Sequence, residues 1–453
     1  MEYILIHKDD NVRVCLENGH KYAVRKISAG EKVIKYGFPI GVAKTDIEEG
    51  EHVHSHNLKT GLSGTLEYSY SSDYRTADKQ LPVMINAFVR KNGDIGIRND
   101  IWIIPTVGCV NSVGQQIAKK TGAFCFTHPY GCSQLGGDHE ITQKVLSGLV
   151  HHPNAGGVLV LGLGCENNNI NDFKKVLGDT DEERIVFLNC QDCEDEISEG
   201  IKLVEQLQKE ASCDKRTPMP VSKLRVGLKC GGSDGLSGIT ANPLCGRFTE
   251  KLVSMGGTAA LTEVPEMFGA EQLLMNRCVD ETVFKKTVCL INNYKSYFIE
   301  HNQPVSENPS PGNKEGGITT LEEKSLGCVQ KGGSAVVTDV LDYGDTLGKP
   351  GLSLLNGPGN DIVAVTNLTA SGCHIILFTT GRGTPLGAPV PTVKIATNSI
   401  LAEKKKMWID YDAQNGSDDD FFNLIISVAD GSKTKNEING FREIAIFKDG
   451  VTL

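Results

Sequence analysis

Three histidines stand at alternate positions, His52, His54 and His56, at the end of a segment broken by short turns. On an extended strand the period of two places them on one face, where imidazoles suit a metal ion or a general base. Solvated histidines on an exposed edge are the plainer alternative. Thiols carry a second chemistry. The tetrapeptide Gly-Cys-x-Asn/Gln occurs four times, at Cys109, Cys132, Cys165 and Cys328. Cys230 stands similarly, after the largely apolar run Leu224 to Leu228 and before a loop with four glycines, Gly231 to Gly238. Thiolate-rich sites prefer iron or zinc to magnesium or calcium. A small cysteine packed where strand meets helix is the competing reading.

The Gly-rich loop leads to Asn242-Pro243, which reads as an N-cap followed by proline in the first helical position. Strand, Gly-rich loop and helix start together aim backbone N–H groups at an anion. The ending of a P-loop and the spacing of a dinucleotide fingerprint are both missing. The loop therefore predicts a pocket for a small carboxylate, with Ser233 and Asp234 in it. Further polar candidates follow. His128 and His139 flank the second Gly-Cys motif, and Lys229 precedes Cys230; each is a candidate base. Glu263 and Glu266 lie in a strand-to-helix turn with metal-binding, acid–base or capping roles open. Lys314 and Thr319, in the polar loop 308–320, suit a hydroxylated anion. Arg382, in the loop 380–387, is shaped to fork a carboxylate, an internal ion pair being its alternative. Cys190 and Cys193 form a lone Cys-x-x-Cys without a second pair and read as structural. His151 and His152 read as surface.

These residues need elements to position them. Residues 1 to about 62 alternate short β-like runs with Asn-Gly and Gly turn signals, which predicts a small all-β module. Residues 66–82 read as a linker after a first domain over 1–65. From Val83 strands alternate with helices: strands over Ile101–Pro105, Ala123–Thr127, Gly157–Leu163, Ile185–Leu188, Leu224–Leu228 and Ile375–Thr379, with helices between them. That repetition predicts a mainly parallel, doubly wound α/β arrangement, divided into domains over 83–220 and 221–453. Beyond Lys404 the tail reads as charged and mostly helical. Ligands of open α/β sheets bind outside the carboxyl ends of strands. The scattered Gly-Cys motifs are thus candidates for one shared site.

Composition narrows the partners. A net charge of −10 without any basic stripe argues against nucleic acid. No apolar stretch reaches the roughly 18–20 residues of a membrane span, and the amino terminus reads as no signal peptide. Fourteen cysteines without a secretory signal suggest reduced thiols and a cytoplasmic setting. A homo-oligomer acting on a small molecule is the expected assembly.

The longer motifs match a family. Gly50 to Asn57, Pro105 to Asn111, Tyr130 to Gly136, Gly162 to Asn168, Leu228 to Pro243, Thr262 to Met275, Asn308 to Thr320 and Phe441 to Leu453 occur in one order along the chain. In these the chain resembles the altronate and galactarate dehydratase family of sugar-acid hydro-lyases. The resemblance implies an N-terminal SAF-type β-clip domain followed by mainly parallel α/β sheet domains. It also implies iron-dependent loss of water from an aldonic acid, with D-altronate giving 2-dehydro-3-deoxy-D-gluconate in hexuronate catabolism. Galactarate dehydration and sulfolactate cleavage are the rivals within the class, and a non-catalytic sugar-acid binder the rival outside it. The expected ferrous site joins His54 and His56 to Cys132, Cys165 and Cys230, a three-cysteine iron–sulfur cluster being the alternative. The base is left open among His128, His139 and Lys229.

Overall fold

The computed structural model describes residues 2–62, 64–74 and 78–453. Residues 2–60 form two small antiparallel sheets. One orders the strands Tyr3–Ile4, Val12–Cys15, Lys21–Ala23 and His52–Val53; the other orders Lys32–Lys35, Phe38–Ala43 and Leu58–Lys59. Alternation buries Val12, Val33, Ile40 and Val53 between the sheets and leaves polar neighbours outside. The β module docks through charge. Lys21 and Lys35, both fully buried, flank Glu323 at 2.8 and 2.9 Å. Such a triad contributes to a unique docking geometry more than to net stability.

The middle region is a four-stranded parallel sheet in the order Phe124–Cys125, Asp100–Pro105, Ala155–Gly162, Ile185–Asn189. Ala155–Gly162 is buried throughout, as a central parallel strand between helix layers must be. Helices Asn111–Thr121 and Glu196–Ser212 cover one face, packing Ile117, Val204 and Leu207 on Ile101, Ile103 and Leu159.

The third region holds a seven-stranded parallel sheet. Its order is Val337–Leu341, Gly351–Leu355, Thr258–Leu261, Arg225–Cys230, Ile375–Thr380, Thr392–Ala396, Tyr411–Asp412. Arg225–Cys230 sits between Thr258–Leu261 and Ile375–Thr380, and the chain winds outward from it in both directions. That reversal point is where an open α/β sheet leaves a crevice at its carboxyl edge.

Several sequence expectations need correction. The helix after the Gly-rich loop begins at Ala241 with Thr240 as its N-cap residue, so Asn242 lies inside it. Its buried amide donates to Gly327 O at 2.9 Å and accepts from Thr379 Oγ1 at 2.6 Å, and does not cap. The segment 66–82, whose residues 75–77 lie outside the described residues, packs along the third region. Tyr68 donates to Glu271 at 2.9 Å and Tyr70 to Cys278 O at 2.8 Å. His152 is buried, stacked on Trp102 at 5.3 Å, not at the surface. The tail forms helices only over Asp418–Ala429 and Lys435–Ile438. Its end crosses to the middle region, where Leu453 N donates to Ser133 O at 2.9 Å.

Candidate active site

The strand Arg225–Cys230 delivers Lys229 and Cys230 to the carboxyl edge of the seven-stranded sheet. The Lys229 ammonium donates to Glu263, to Asp361 Oδ1 at 2.8 Å and to Cys230 O at 2.8 Å. Lys331 reaches the other Glu263 oxygen at 3.3 Å, and Lys324 pairs with Glu266 at 2.8 Å. The Cys328 thiol donates to Glu266 Oε2 at 3.0 Å and lies 3.9 Å from the Cys230 sulfur. Ser233 Oγ is 2.5 Å from that sulfur. Three ammoniums, three carboxylates and two thiols thus share one enclosure, all buried except the Asp361 carboxylate, 37% exposed. Glu263 sits at φ +69°, a conformation costing a non-glycine residue about 1 kcal/mol or more, of the kind held at working sites.

The enclosure separates like groups. Burial pushes the Glu263 carboxyl up to about 7, with the Glu266 carboxylate adding to the rise. Burial pushes Glu266 the same way, but the ammoniums of Lys324, Lys229 and Lys331 outweigh it and hold it at about 2. The hydrogen bond with Cys328 draws Cys230 well below the usual thiol value, against the opposing effect of burial. That hydrogen bond and burial push Cys328 well above it. Burial lowers Lys229, yet Glu263 and Asp361 raise it well above its ordinary value, so it stays an ammonium. A fixed ammonium suits charge stabilisation rather than proton abstraction.

Across the Gly-rich loop lies the imidazole cluster. His52 and His54 stack at 5.4 Å, His56 lies 5.9 Å from His52, and His20 Nδ1 is 2.9 Å from His52 Nε2. A two-residue strand ending at Val53 is followed by a turn that Asn57 closes, its amide donating to His52 O at 2.9 Å and its carbonyl accepting from His54 N at 2.9 Å. The turn, not a continuous strand, gathers the rings. Burial, then neighbouring positive groups, lowers His52 to about 4; burial also lowers His20 and His54. His54 Nε2 donates to Lys314 O at 2.9 Å.

Residues 310–320 join the two halves. Thr319 accepts from Lys21, Gly235 N donates to Gly316 O at 2.7 Å, and Asn313 donates to Ser233 O at 2.8 Å. A side chain at Gly235 would collide with Gly19 O, 1.9 Å from its Cβ, so glycine alone permits this approach. Arg382 lies beside Gly232 and pairs with Glu315 at 2.8 Å. The structure therefore gathers Lys229, Cys230, Ser233, Asp234, Lys314, Thr319, Arg382 and the histidines of the β module on linked elements. Asp234 is a loop clamp, accepting from Thr397 Oγ1 at 2.8 Å and Leu236 N at 3.2 Å. Loop N–H groups of Gly231, Asp234 and Gly235 already donate within the protein.

The remaining candidates lie elsewhere. Cys132 and Cys165 are exposed on loops of the middle sheet, away from Cys230, whose thiol gathers with Glu266 and Cys328 instead. His128 is buried, Nε2 donating to Pro105 O at 2.8 Å and Nδ1 accepting from Tyr130 N at 3.2 Å. Both nitrogens hold a loop. His139 lies on the helix Gly136–Val150 of the same region. Sequence reasoning missed His20, which has no periodic partner, and Lys324 and Lys331. A signal for the lysines existed: Lys324, Cys328 and Lys331 fall at i, i+4 and i+7, one helical face. A cleft of about 830 Å³ beside the helix Glu281–Glu300 borders this sheet through Asp339 to Asp342 and through Asn356, Gly357 and Pro358, and none of the charged enclosure's residues lines it.

Residues 14–61 match the altronate/galactarate dehydratase SAF domain, 87–212 the second domain of D-galactarate dehydratase/altronate hydrolase, and 221–452 the C-terminal domain of D-galactarate/altronate dehydratase. The chain belongs to this family of sugar-acid hydro-lyases. It is 52% identical to altronate dehydratase of Escherichia coli and 49% identical to that of Bacillus subtilis, over all of this chain and at least 99% of theirs. Galactarate dehydratase (L-threo-forming) of Escherichia coli is 29% identical over 90% of this chain and 86% of its own. Among the described residues no helix is long and apolar enough to cross a membrane.

Proposed function

We propose that this enzyme dehydrates D-altronate to 2-dehydro-3-deoxy-D-gluconate with ferrous iron, as a cytoplasmic homo-oligomer in hexuronate catabolism. The observation that carries the reading is the imidazole cluster held against residues 310–320, beside the loop after Cys230. Full-length identity near half with two altronate dehydratases, against 29% with galactarate dehydratase, favours altronate over galactarate. Fourteen free thiols fit a reducing compartment.

The chemistry required is removal of the C2 proton and departure of the C3 hydroxyl. An imidazole of the His20–His52 pair takes the C2 proton and returns it to the departing C3 oxygen, which leaves as water. The enol left behind tautomerises to the 2-keto acid. Imidazole nitrogen is a borderline ligand that suits iron, and His54 and His56 would have to draw together and release Lys314 O to hold it, since among the described residues the donors already close enough to share one ion are Cys230, Glu266 and Cys328. Bound iron would supply a Lewis acid at the substrate's carboxylate and hydroxyl oxygens. Arg382, on its loop, and Lys314, on the short helix Pro311–Glu315, stand on adjoining elements to receive the carboxylate.

Protein purified anaerobically with ferrous iron and offered altronate, galactarate and sulfolactate tests this directly. Keto-acid product from altronate, at a kcat/KM above that for the other two, is expected. No product from altronate would refute the reading. His52→Ala should lower kcat about 10²-fold or more with the fold intact. Light scattering should give a mass above that of one chain.

A further inference from the structure

We propose that Cys109, Cys132 and Cys165 hold an iron–sulfur cluster at the carboxyl edge of the four-stranded sheet, leaving one iron without a protein thiolate. The site is distinct from the imidazole cluster. Three adjacent parallel strands lead into it: Asp100–Pro105 precedes Cys109, Phe124–Cys125 precedes Cys132, and Ala155–Gly162 precedes Cys165. Neighbouring strands run about 4.8 Å apart, so the three loops are neighbours too. All three thiols are exposed, which removes the packing explanation that serves for buried cysteine. Cys190, past the fourth strand, is the contrast. It packs in the apolar cluster over that sheet, where burial pushes its thiol up to about 11.

The loops beneath these thiols are rigidly joined. Gly108 N donates to Tyr130 O at 2.9 Å, and Asn168 N to Gly131 O at 2.9 Å. Ser133 N donates to Asn167 Oδ1 at 3.0 Å, so the Asn of one motif braces the residue beside the cysteine of another. Beneath them the Glu166 carboxylate accepts from Thr106 Oγ1 at 2.6 Å and Gly164 N at 2.6 Å. A Cβ on Gly131 would fall 1.9 Å from Thr106 O, which is why glycine precedes Cys132. Ser133 itself is held at φ +59°, a left-handed conformation outside glycine that the bracing must sustain. Gln191 Nε2 donates to the Cys165 sulfur at 3.3 Å, the type of outer hydrogen bond that tunes metal-bound thiolate. Rigid loops, a strained residue and exposed sulfurs describe a preformed ligand edge.

The spacing selects the kind of ligand. Among the described residues, the His, Cys, Asp and Glu donors close enough to share one ion are Cys230, Glu266 and Cys328, and the edge thiols do not join such a set. An iron–sulfur cluster spans a wider thiol triangle than one ion does, because each thiolate binds a different iron. Cluster binding takes one proton from each thiol. The iron left without thiolate keeps a position for an external oxygen donor.

The test uses the full chain, stripped of metal and reconstituted anaerobically with ferrous and ferric iron in equal amounts and sulfide, which together supply the oxidation level of a [4Fe–4S]2+ cluster. Iron, acid-labile sulfide, visible absorption and, after reduction, electron paramagnetic resonance are read. The wild type should take up roughly four irons and four sulfides per chain, the content of a [4Fe–4S] cluster. Cys109→Ser, Cys132→Ser and Cys165→Ser should each lose most of the sulfide and the cluster spectrum, with circular dichroism unchanged. Cys213→Ser and Cys289→Ser, which remove exposed thiols elsewhere, should keep both. Uptake of iron without sulfide by the wild type, or sulfide retained in all three edge variants, would overturn the proposal. None of these readouts depends on altronate turnover, so the functional reading can fail without it.

Discussion

Two sheet edges in this chain gather cysteines and make opposite use of them. At the seven-stranded sheet, Cys230 and Cys328 are enclosed with three lysines and three carboxylates. At the four-stranded sheet, Cys109, Cys132 and Cys165 are exposed on loops braced only by hydrogen bonds beneath them. Spacing in sequence does not distinguish them. Burial does, by turning thiols into members of a charge network at one edge and leaving them as available ligands at the other. The largest expected effect follows. In metal-free protein, iodoacetamide should modify Cys109, Cys132 and Cys165 at least about 10³-fold faster than Cys230 and Cys328, which react only through opening of a stable domain. Mass spectrometry of the alkylated peptides reads this. Equal rates would erase the contrast.

The buried edge should also break in a characteristic way. Glu263→Ala leaves Lys229 and Lys331 buried without their shared carboxylate, and should cost about 3–5 kcal/mol in a denaturant titration. Glu263→Leu with Lys229→Met, which removes both charges, should recover much of that loss. If the double change were as unstable as the single one, the network would not act through charge.

What the sequence revealed follows the same division. Strand and helix alternation is a local signal, and the parallel sheets stand near where periodicity put them; Asp100–Pro105 and Ile375–Thr380 differ from expectation by a single residue. The four repeats drew attention to Cys328, yet only the fold shows that a helix end brings it 3.9 Å from Cys230. Lys324, Lys331 and Asp361 come from two segments far from Lys229 in the chain, and no spacing announces such a meeting. His20 joins His52 because two short strands pair, Tyr22 opposite His52. Asn242 misled because its sequence fits a cap while its buried side chain answers to Gly327 and Thr379. Composition and period reported elements; partners across the chain required the tertiary structure.

A smaller effect compares two lysines in that sheet. Lys229 has carboxylates and stays charged; Lys394 lies over the Phe378 ring at 3.5 Å, and its Nζ has no hydrogen-bond partner. Burial pushes Lys394 down to about 7 from the ordinary 10.5. Between those values the unfolded chain binds the extra proton, so stability rises with pH across about 7 to 10.5 and falls as pH drops toward 7. Lys394→Met should stabilise the protein at pH 7 by roughly 4 kcal/mol, each pKa unit being worth about 1.36 kcal/mol. It should also flatten that part of the pH profile. An unchanged profile would show that the ammonium finds water or a partner in solution.

The smallest expected change in stability is at Arg382, and it separates a structural role from a binding one. Its ion pair with Glu315 joins side chains 45% and 72% exposed, and such surface pairs are worth about 0–1 kcal/mol. Arg382→Ala should therefore leave the urea midpoint almost unmoved. Activity is the sharper readout. A guanidinium that forks the substrate carboxylate contributes to binding, so the alanine variant should raise KM with kcat nearly held. Lys at the same position should recover little, since an ammonium cannot donate two parallel hydrogen bonds. Glu315→Gln, which releases Arg382 from its present partner, should lower KM. If KM stayed constant in all three variants, Arg382 would be only a surface ion pair, and recognition of the carboxylate would fall to the loops on the other side of the site.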